Sequence, residues 1–169
     1  SLPDDNPYTD GGGNPAVWSY GHRNVQGLAY HAETDTLFAH EHGPKGGDEI
    51  NIVAPGKNYD WPVITYGINY DGTVITNETE APGMEQPVVK WVPSIAPAGM
   101  AVVDTPAFAD WSGDLLIGAM NGPKGQKLVR VDVNADGSVG ATEDLLDDLQ
   151  IPFRDVISTP NAIYLATAD

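Results

Sequence analysis

Short runs of apolar and β-branched residues recur along this chain, and clusters of turn residues separate them. The segment at 127–133 shows the pattern clearly, because apolar and polar residues alternate through it as in a strand with one buried face. The separators include Asp71-Gly72 and Asp136-Gly137, which are residue pairs that turns favour. This pattern predicts an all-β protein, either a sandwich, a barrel or a propeller. The predicted strands lie at 36–39, 49–53, 63–66, 88–92, 100–103, 114–119, 127–133, 155–158 and 162–167.

One segment, at 143–149, has a helical pattern, and residues 1–15 are expected to form an irregular lead-in to a domain over 16–169. A propeller blade takes roughly 40–50 residues, so a chain of 169 residues would supply three to four blades. Closed propellers have four to eight blades. The chain is therefore predicted to be part of a propeller ring.

Composition removes several classes of function. The chain has 8 Lys and Arg against 24 Asp and Glu, a net charge of −16, which argues against binding to nucleic acid or to an anionic membrane surface. Its 19 Gly and 14 Pro argue against a helix bundle. It has no Cys, hence no disulfide or thiolate metal site, and no apolar run approaches the roughly 18 residues of a membrane span.

The densest polar stretch runs from His40 to Glu49. On an extended strand His40 and His42 project from the same face, so with the carboxylates that follow they could form half of a zinc or iron site. A glycine-rich loop of this kind could instead offer backbone carbonyls and Glu49 to calcium, which prefers oxygen ligands. The third interpretation is a solvated loop with hydrogen-bonded histidines. The spacing leaves all three open.

A second candidate metal site lies between Asp132 and Glu143, where the sequence satisfies the calcium-loop pattern D-x-N-x-D-G-x₅-E. A calcium loop of the EF-hand type needs an entering helix, whereas the residues at 127–133 alternate like a strand. The sequence from Asn134 to Gly137 is also one that a hairpin turn prefers. We therefore predict a plain hairpin at this place.

Arg23 is one of only three arginines in the chain, and it lies among aromatic and amide residues beside Asn24. An Arg-Asn pair can donate several hydrogen bonds to an anionic or carbonyl oxygen of a ligand. The alternative is a structural arginine that stacks on Trp18 or Tyr20. The sequence by itself leaves both roles open.

Four runs of the sequence resemble one known family: WSYGHRNVQG at 18–27, EHGPKGGDEIN at 41–51, GKNYDWP at 56–62 and YGINY at 66–70. Later runs at 99–101, 114–119 and 154–156 agree in the same order. The family is that of the soluble PQQ-dependent sugar dehydrogenases, also called the glucose/sorbosone dehydrogenase family, and the likeness is strongest to its aldose sugar dehydrogenase branch. The resemblance implies a six-bladed β-propeller that carries pyrroloquinoline quinone (PQQ) and calcium and oxidises the C1 hydroxyl of aldoses to a lactone.

The resemblance also implies roles for individual residues. Arg23 and Asn24 match the pair that polarises a carbonyl of the cofactor, which makes Arg23 the catalytic residue of this chain. Gly43 and Pro44 match residues whose carbonyls face the catalytic calcium. The other implied residues are His42, Tyr70 and Arg154 at the cofactor, and Glu49 and Tyr59 at a calcium site of the aldose branch.

The chain departs from the family pattern at three positions. Asn121 stands where the family has a cofactor-binding lysine, and either Lys124 or Lys127 could replace that lysine after an insertion at 122–125. Pro152 stands in place of a first clamping arginine. Asp60 replaces a glycine in a turn that favours positive φ. Because PQQ is a tricarboxylate, the two missing cations would weaken its binding, by roughly 1.5–3 kcal/mol for each lost charged hydrogen bond.

Members of the family are longer than this chain, and their catalytic histidine lies in the N-terminal half. The resemblance therefore implies the C-terminal half of a sugar dehydrogenase, with a partner half that supplies the base, an aldose as substrate, an unidentified electron acceptor and a periplasmic or secreted location. One alternative is a propeller of the same family that has lost PQQ and serves as a binding module. Another is a structural calcium-binding β-domain that uses the segment from Asp132 to Glu143.

Overall fold

The computed structural model describes residues 2–121 and 125–168, and its regular structure is almost entirely β. Residues 2–15 form turns and bends that precede the first strand. Two 3₁₀ helices, Pro106–Trp111 and Asp147–Leu149, complete the regular elements of the described chain. The strands are β1 Val25–His31, β2 Thr36–Glu41, β3 Asp48–Ile52, β4 Val89–Trp91, β5 Pro97–Val102, β6 Leu115–Asn121, β7 Gly125–Val133, β8 Val139–Leu145, β9 Phe153–Ser158 and β10 Ile163–Thr167.

The strands form three antiparallel sheets in which every hydrogen-bonded neighbour is also the neighbour in sequence. The first sheet has the order β1-β2-β3-β4, the second has the order β5-β6-β7-β8, and the third pairs β9 with β10. Strand β1 packs on β5, and β5 and β6 pack on β9, so the sheets stack as successive blades. The all-β propeller prediction is confirmed, with two four-stranded blades and one two-stranded sheet.

Two apolar cores hold the three sheets together. The first lies between the first two sheets and includes Phe38, Ile50, Ile117 and Val129, all with no exposed surface. The second joins the second sheet to the third and is formed by Val103, Leu116, Leu128 and Val156. Because β6 sends Leu116 to one core and Ile117 to the other, its apolar run fits a strand buried on both faces.

Eight of the nine predicted strands are confirmed within a few residues, and the segment at 63–66 is the exception, since it lies in turns. The predicted helix at 143–149 is wrong: its first three residues belong to β8, and Asp147–Leu149 is a single 3₁₀ turn. Strands β1 and β8 were not predicted. Most side chains of β8 are exposed. Strand β1 exposes the apolar Leu28 and Tyr30 and buries the polar His31. Neither strand therefore has the alternation of buried apolar and exposed polar residues from which strands are predicted.

The segment from Asp132 to Glu143 is the predicted hairpin, which joins β7 to β8. Its turn is closed by a hydrogen bond from the Asn134 amide to the Ser138 carbonyl, 2.8 Å, and Gly137 has φ 81°. The carboxylates of the calcium-loop pattern have other partners. Arg130 donates to Asp132 and Glu143, at 2.8 Å each, which leaves the structural calcium-binding interpretation without support.

A long connection, residues 53–88, joins β3 to β4 and folds back over one end of the first sheet. Two isolated bridges attach it to neighbouring loops, one between Tyr20 and Asn58 and one between Lys45 and Ile68. This connection brings Tyr59, Asp60 and Tyr70 towards the loop that follows β2. Within the described residues, no helix is long and apolar enough to cross a membrane.

Candidate active site

A cavity of about 730 Å³ lies at one end of the first sheet, within the range of roughly 300–1,000 Å³ that is typical of small-molecule sites. Its wall combines hydrogen-bond donors with the apolar surfaces of Ile68, Val92 and Pro93. Seven residues that the sequence nominated line it together: Arg23, Asn24, His42, Gly43, Pro44, Tyr70 and Asn121.

The loop from Gly43 to Gly47 forms the floor of this cavity, and the buried Asp48 carboxylate holds it in place. Asp48 accepts hydrogen bonds from the backbone amide of Gly43 at 3.0 Å, from the amides of Ile95 and Ala96 at 2.8 and 2.9 Å, and from the Ser94 hydroxyl at 2.6 Å. A Cβ atom at Gly43 would collide with the carbonyl oxygens of Gly46 and Gly47. The loop is therefore rigid, and its carbonyls have fixed directions.

Arg23 lies between this cavity and a smaller one. Its Nη1 donates to the carbonyl oxygens of His42 and Gly43, both at 2.8 Å, and its guanidinium lies 5.2 Å from the centre of the Trp61 ring. Its Nε is buried and has no hydrogen-bond partner. The stacking partner is thus Trp61 and neither of the two aromatic residues considered from the sequence, and the N–H groups of Nε and Nη2 have no acceptor in the described chain.

Asn24 and His42 are held by the backbone around Arg23. The His42 amide donates to the Asn24 carbonyl at 3.0 Å, and the His42 ring bonds through Nε2 to the Pro97 carbonyl at 2.7 Å. Since a carbonyl only accepts, Nε2 of His42 carries a proton. The Asn24 side-chain oxygen accepts from Gln26 at 2.8 Å, and its amide nitrogen has no acceptor in the described chain.

The smaller cavity, of about 10 Å³, has room for one water-sized particle, and three buried carboxylates line it: Glu41, Glu49 and Asp60. Burial, together with the smaller effect of the Asp60 charge, raises the pKa of Glu49 to about 8. Burial also raises the pKa of Asp60 to about 7, with a contribution from Glu41. The carboxylates repel one another here, so a cation would relieve their repulsion.

The three carboxylates differ in their partners. Glu41 accepts from the backbone amides of Arg23 and Asn24, at 2.6 and 3.1 Å, and pairs with His22 at 3.3 Å. Glu49 has one long contact, 3.4 Å, to the Asn51 amide. The Asp60 carboxylate accepts no hydrogen bond from the described residues, although Asp60 is only 5% exposed. Glu49 and Asp60 therefore have the free oxygens of this pocket.

Asp60 adopts φ 80°, so the positive φ expected of this turn is confirmed although the residue is not glycine. The preceding residue, Tyr59, is also buried, and its ring stacks on His22 with the centroids 4.7 Å apart. The Tyr59 hydroxyl donates to the Ile52 carbonyl at 2.6 Å and accepts from the Ala54 amide at 2.8 Å. The Tyr59 hydroxyl is thus fully occupied, and the Tyr59 carbonyl accepts from the Trp61 amide at 3.1 Å, so any contribution of Tyr59 to a metal site would use the second lone pair of that carbonyl.

The remaining nominated residues are placed as follows. Asn121 lines the large cavity, but its amide donates to the Ser94 carbonyl at 2.7 Å. Lys127, one candidate for the missing lysine, pairs with Asp144 at 2.7 Å and lies in neither cavity, and Lys124 lies outside the described residues. Arg154 is an exposed residue of β9 and lines neither cavity.

The stretch from His40 to Glu49 is buried over most of its length, so its interpretation as a solvated loop is wrong. His40 has no exposed surface, and neither ring nitrogen makes a hydrogen bond of good geometry within the described chain, although the Ala98 backbone lies near enough to favour the protonated ring. Burial lowers the pKa of His40 to about 4, so this ring is neutral. Within residues 2–121 and 125–168, no three His, Asp or Glu side chains are arranged to hold a metal ion, which leaves the zinc or iron interpretation without support.

The sequence did not nominate every residue that lines these cavities, and two of the charged residues that it missed are Lys45 and Asp60. Lys45 lines the large cavity, and Asp60 lines the small one. Both stand inside runs that carry the family resemblance, and both are charged residues in loops rich in glycine and aromatic residues. A charged residue in a loop of this kind was the sequence feature that could have identified each of them as a ligand-binding residue.

A half-propeller whose loops converge on a cavity with donors and flat apolar walls is a small-molecule-binding domain of the kind that enzymes use. The profile of the Glucose / Sorbosone dehydrogenase family matches residues 1–169, and the chain belongs to that family. The aldose sugar dehydrogenase YliI of Escherichia coli (strain K12) is 42% identical over 172 residues, which cover 98% of this chain and 45% of that protein.

Solved structures agree with the family assignment. A crystal structure of a glucose dehydrogenase has 44% identity and a TM-score of 0.90, and the match covers 99% of this chain and 48% of that one. The PQQ-bound aldose sugar dehydrogenase of Streptomyces coelicolor has 26% identity and a TM-score of 0.72, with 97% and 42% covered. The chain thus spans about half the length of the relatives that it matches.

Proposed function

We propose that this chain is the C-terminal half of a PQQ- and calcium-dependent aldose sugar dehydrogenase that oxidises the C1 hydroxyl of a sugar to a lactone. The observation that carries the proposal is the cavity in which Arg23, Asn24, His42 and Tyr70 meet although the chain separates them by up to 47 positions, 70 − 23. Under this proposal the domain over 16–169 is the catalytic propeller portion, and residues 1–15 lead into it.

The large cavity fits a flat, anionic cofactor. Its apolar walls suit an aromatic ring system, and its cationic and amide donors suit carboxylates and carbonyl oxygens. The buried Nε of Arg23, which has no partner in the described chain, is a donor for such an oxygen. When bound, PQQ would supply the acceptor for the hydride that leaves C1 of the sugar.

Arg23 and Asn24 act as fixed donors in this proposal. Because Trp61 and two backbone carbonyls hold the guanidinium, it needs little reorganisation when negative charge develops on a ligand oxygen. His42 lines the same cavity with its protonated Nε2 bound to Pro97, so it positions the wall and takes no proton at that atom. The proton of the sugar hydroxyl goes to a histidine of the other half.

The residues present offer oxygen ligands for calcium in two places; because no three acidic or histidine side chains of the described chain form a metal-binding group, backbone carbonyls would have to complete either set. The loop at Gly43 and Pro44 lines the large cavity, and its backbone carbonyls are fixed in direction, although Arg23 already donates to the Gly43 oxygen. The small cavity offers carboxylate oxygens of Glu49 and Asp60 and the backbone carbonyl of Tyr59. Oxygen ligands of this kind suit a hard cation such as calcium.

A second candidate function is a propeller that has lost PQQ and serves as a binding module. Two observations favour it. Asn121 uses its amide on the Ser94 carbonyl, and Arg154 lies outside the cavity, so neither supplies a donor to a tricarboxylate there. The intact Arg23 and Asn24 donors favour the enzyme.

The test uses the native protein, purified with any partner polypeptide and characterised by intact mass. PQQ and calcium chloride are added, and reduction of an artificial electron-accepting dye is followed with a panel of aldoses, with lactone formation measured in parallel. Sugar-dependent reduction that requires both PQQ and calcium is expected. A complete assembly that binds no PQQ and reduces no dye would leave the binding module as the function. Fractionation of the source cells tests the proposed periplasmic or secreted location.

A further inference from the structure

Few charged side chains line the large cavity, and one of them, Lys45, has no role assigned to it so far. Two cationic side chains line it, Arg23 and Lys45. Arg23 directs Nη1 to two backbone carbonyls and stacks on Trp61. Lys45 is exposed, and its ammonium group makes no hydrogen bond or ion pair with the described residues. Lys45 therefore has all three of its donors available to a ligand.

The other lysines of the described chain are already engaged. Lys57 pairs with Glu85 at 2.8 Å, Lys127 pairs with Asp144 at 2.7 Å, and the Lys90 ammonium lies 3.6 Å from the centre of the Tyr66 ring. Lys45 is not isolated from carboxylates, since its charge, after the hydrogen bonds from Thr73, also lowers the pKa of Asp71, but no carboxylate oxygen of the described chain lies within ion-pair distance of its ammonium group. That lysine is also the one that lines the cavity.

The backbone fixes the base of the Lys45 side chain. Its amide donates to the Ile68 carbonyl at 3.0 Å, and its carbonyl accepts from the Ile68 amide at 3.4 Å. Its neighbours Pro44 and Gly46 are buried. The ammonium is thus attached by a flexible stem to a rigid loop, and it can reach a ligand without a change of the loop.

We propose that Lys45 binds a carboxylate of the anionic cofactor and supplies the positive charge that Asn121 does not. The inference rests on the proposed function, because it takes PQQ as the ligand of this cavity. Asn121, at the end of β6, lines the same cavity, but it is uncharged and its amide donates to the Ser94 carbonyl. The positive charge that the cofactor carboxylate needs therefore comes from Lys45, in the loop after β2. An ammonium–carboxylate contact of this kind is stronger than a neutral hydrogen bond.

The experiment is an equilibrium titration of the assembled native protein with PQQ, followed by protein fluorescence at several salt concentrations. We expect Lys45→Gln to raise the dissociation constant at least tenfold and to reduce its dependence on salt, since one ion contact is lost. Lys45→Arg should stay within about threefold of the wild type. Lys57→Gln is the charge-matched control, because Lys57 lies outside both cavities, and it should change the constant less than twofold.

A second ligand identifies the group that Lys45 contacts. PQQ trimethyl ester carries no carboxylates, so the wild type and Lys45→Gln should bind it equally. Equal affinity of the two proteins for PQQ itself would overturn the assignment, and so would a variant in which only the KM for the aldose rises. If the wild type binds no PQQ in the first titration, the proposed function fails together with this inference. If the wild type binds and Lys45→Gln binds equally, only this inference fails.

Discussion

Arg23 combines a structural and a chemical role in one side chain. Its Nη1 holds the carbonyls of His42 and Gly43, its plane covers Trp61, and its Nε has no partner in the described chain. A lysine would keep the charge but lose the planar arrangement of donors. The two functions of Arg23 can therefore be separated by substitution.

Arg23→Lys should lower the turnover of the assembled enzyme by roughly 100-fold or more, the usual effect of losing one preorganised donor at a developing negative charge. Arg23→Ala should lower turnover at least as much and also destabilise the loop at Gly43, because two carbonyls lose their donor. The measurements are kcat with a saturating aldose and the thermal unfolding midpoint. Full activity in Arg23→Lys would contradict the role assigned to this residue.

His40 is a buried base with no hydrogen bond of good geometry in the described chain, and a pH titration of stability makes its state measurable. Its pKa is about 4 in the folded protein, below the ordinary value of 6.5. The unfolded chain therefore takes up a proton at His40 as the pH falls below 6.5, while the folded protein takes it up only near pH 4. The stabilising contribution is complete above pH 6.5 and is lost between pH 6.5 and 4.

We expect the wild type to lose about 3 kcal/mol of unfolding free energy, relative to His40→Leu, between pH 7 and pH 4. Glu49 and Asp60 have raised pKa values and act in the opposite direction, but they are common to both proteins and cancel in the comparison. Urea unfolding at pH 7, 6, 5 and 4 gives the two curves. Parallel curves would show that His40 is not a buried neutral base.

At the scale of the elements, the contact between β6 and β9 decides how closely two blades approach. Gly118 lies on β6, and a Cβ atom there would lie 2.6 Å from the Phe153 carbonyl oxygen of β9. Since that atom belongs to backbone, it has little freedom to move. The absence of a side chain at Gly118 thus allows the second and third sheets to pack.

Gly118→Ala should destabilise the protein by about 1–3 kcal/mol, as overpacking of a core commonly does. Gly140→Ala is the matched control, because Gly140 lies on the exposed strand β8 and the nearest atom to its Cβ would be a side-chain carbon of Asp132, at 3.1 Å, whereas the Asp132 backbone oxygen is 3.7 Å away. The measurement is urea unfolding of both variants. Equal stability losses would show that the approach of β6 to β9 does not depend on glycine.

The elements also show what the sequence can predict. Strands such as β6 and β7 are readable because their apolar residues face cores on one or both sides. The exposed strand β8 lacks that signal, and the pattern at 143–149 resembled a helix instead. The family resemblance predicted most of the residues that line the large cavity. It did not predict the roles of Asp60 and Lys45, because those roles depend on which side chains surround each charged group in the folded chain.

At the scale of the whole molecule, the scarcity of positive charge limits where anions can bind. Arg130 is shared by three carboxylates, those of Asp114, Asp132 and Glu143, at 2.7–2.8 Å. That arrangement neutralises part of the acidic surface on the second sheet. Arg130 is therefore not available to an anionic ligand. The two cations that line the large cavity, Arg23 and Lys45, are available to one.

The outer faces of the first and third sheets expose apolar side chains, and under the proposed function these are the faces that would meet further blades. Strand β1 exposes Leu28 and Tyr30, and the β9–β10 pair exposes Ile157 and Tyr164. Each set lies on a sheet whose other side packs against the second sheet. Apolar surface of this kind marks an interface, and unpaired strand edges also promote association. The chain by itself should therefore self-associate.

Leu28→Asp should reduce that self-association and should also weaken assembly with the other half of the propeller. Val74→Asp is the control, because Val74 is as exposed as Leu28, 59% against 60%, but lies in the connection between β3 and β4 and not on a sheet. Sedimentation velocity of the chain alone and copurification with the other half give the two readouts, with circular dichroism to confirm β structure. Since a surface leucine with no partner would tolerate the charge, unchanged assembly in Leu28→Asp would show that this face of β1 is not an interface.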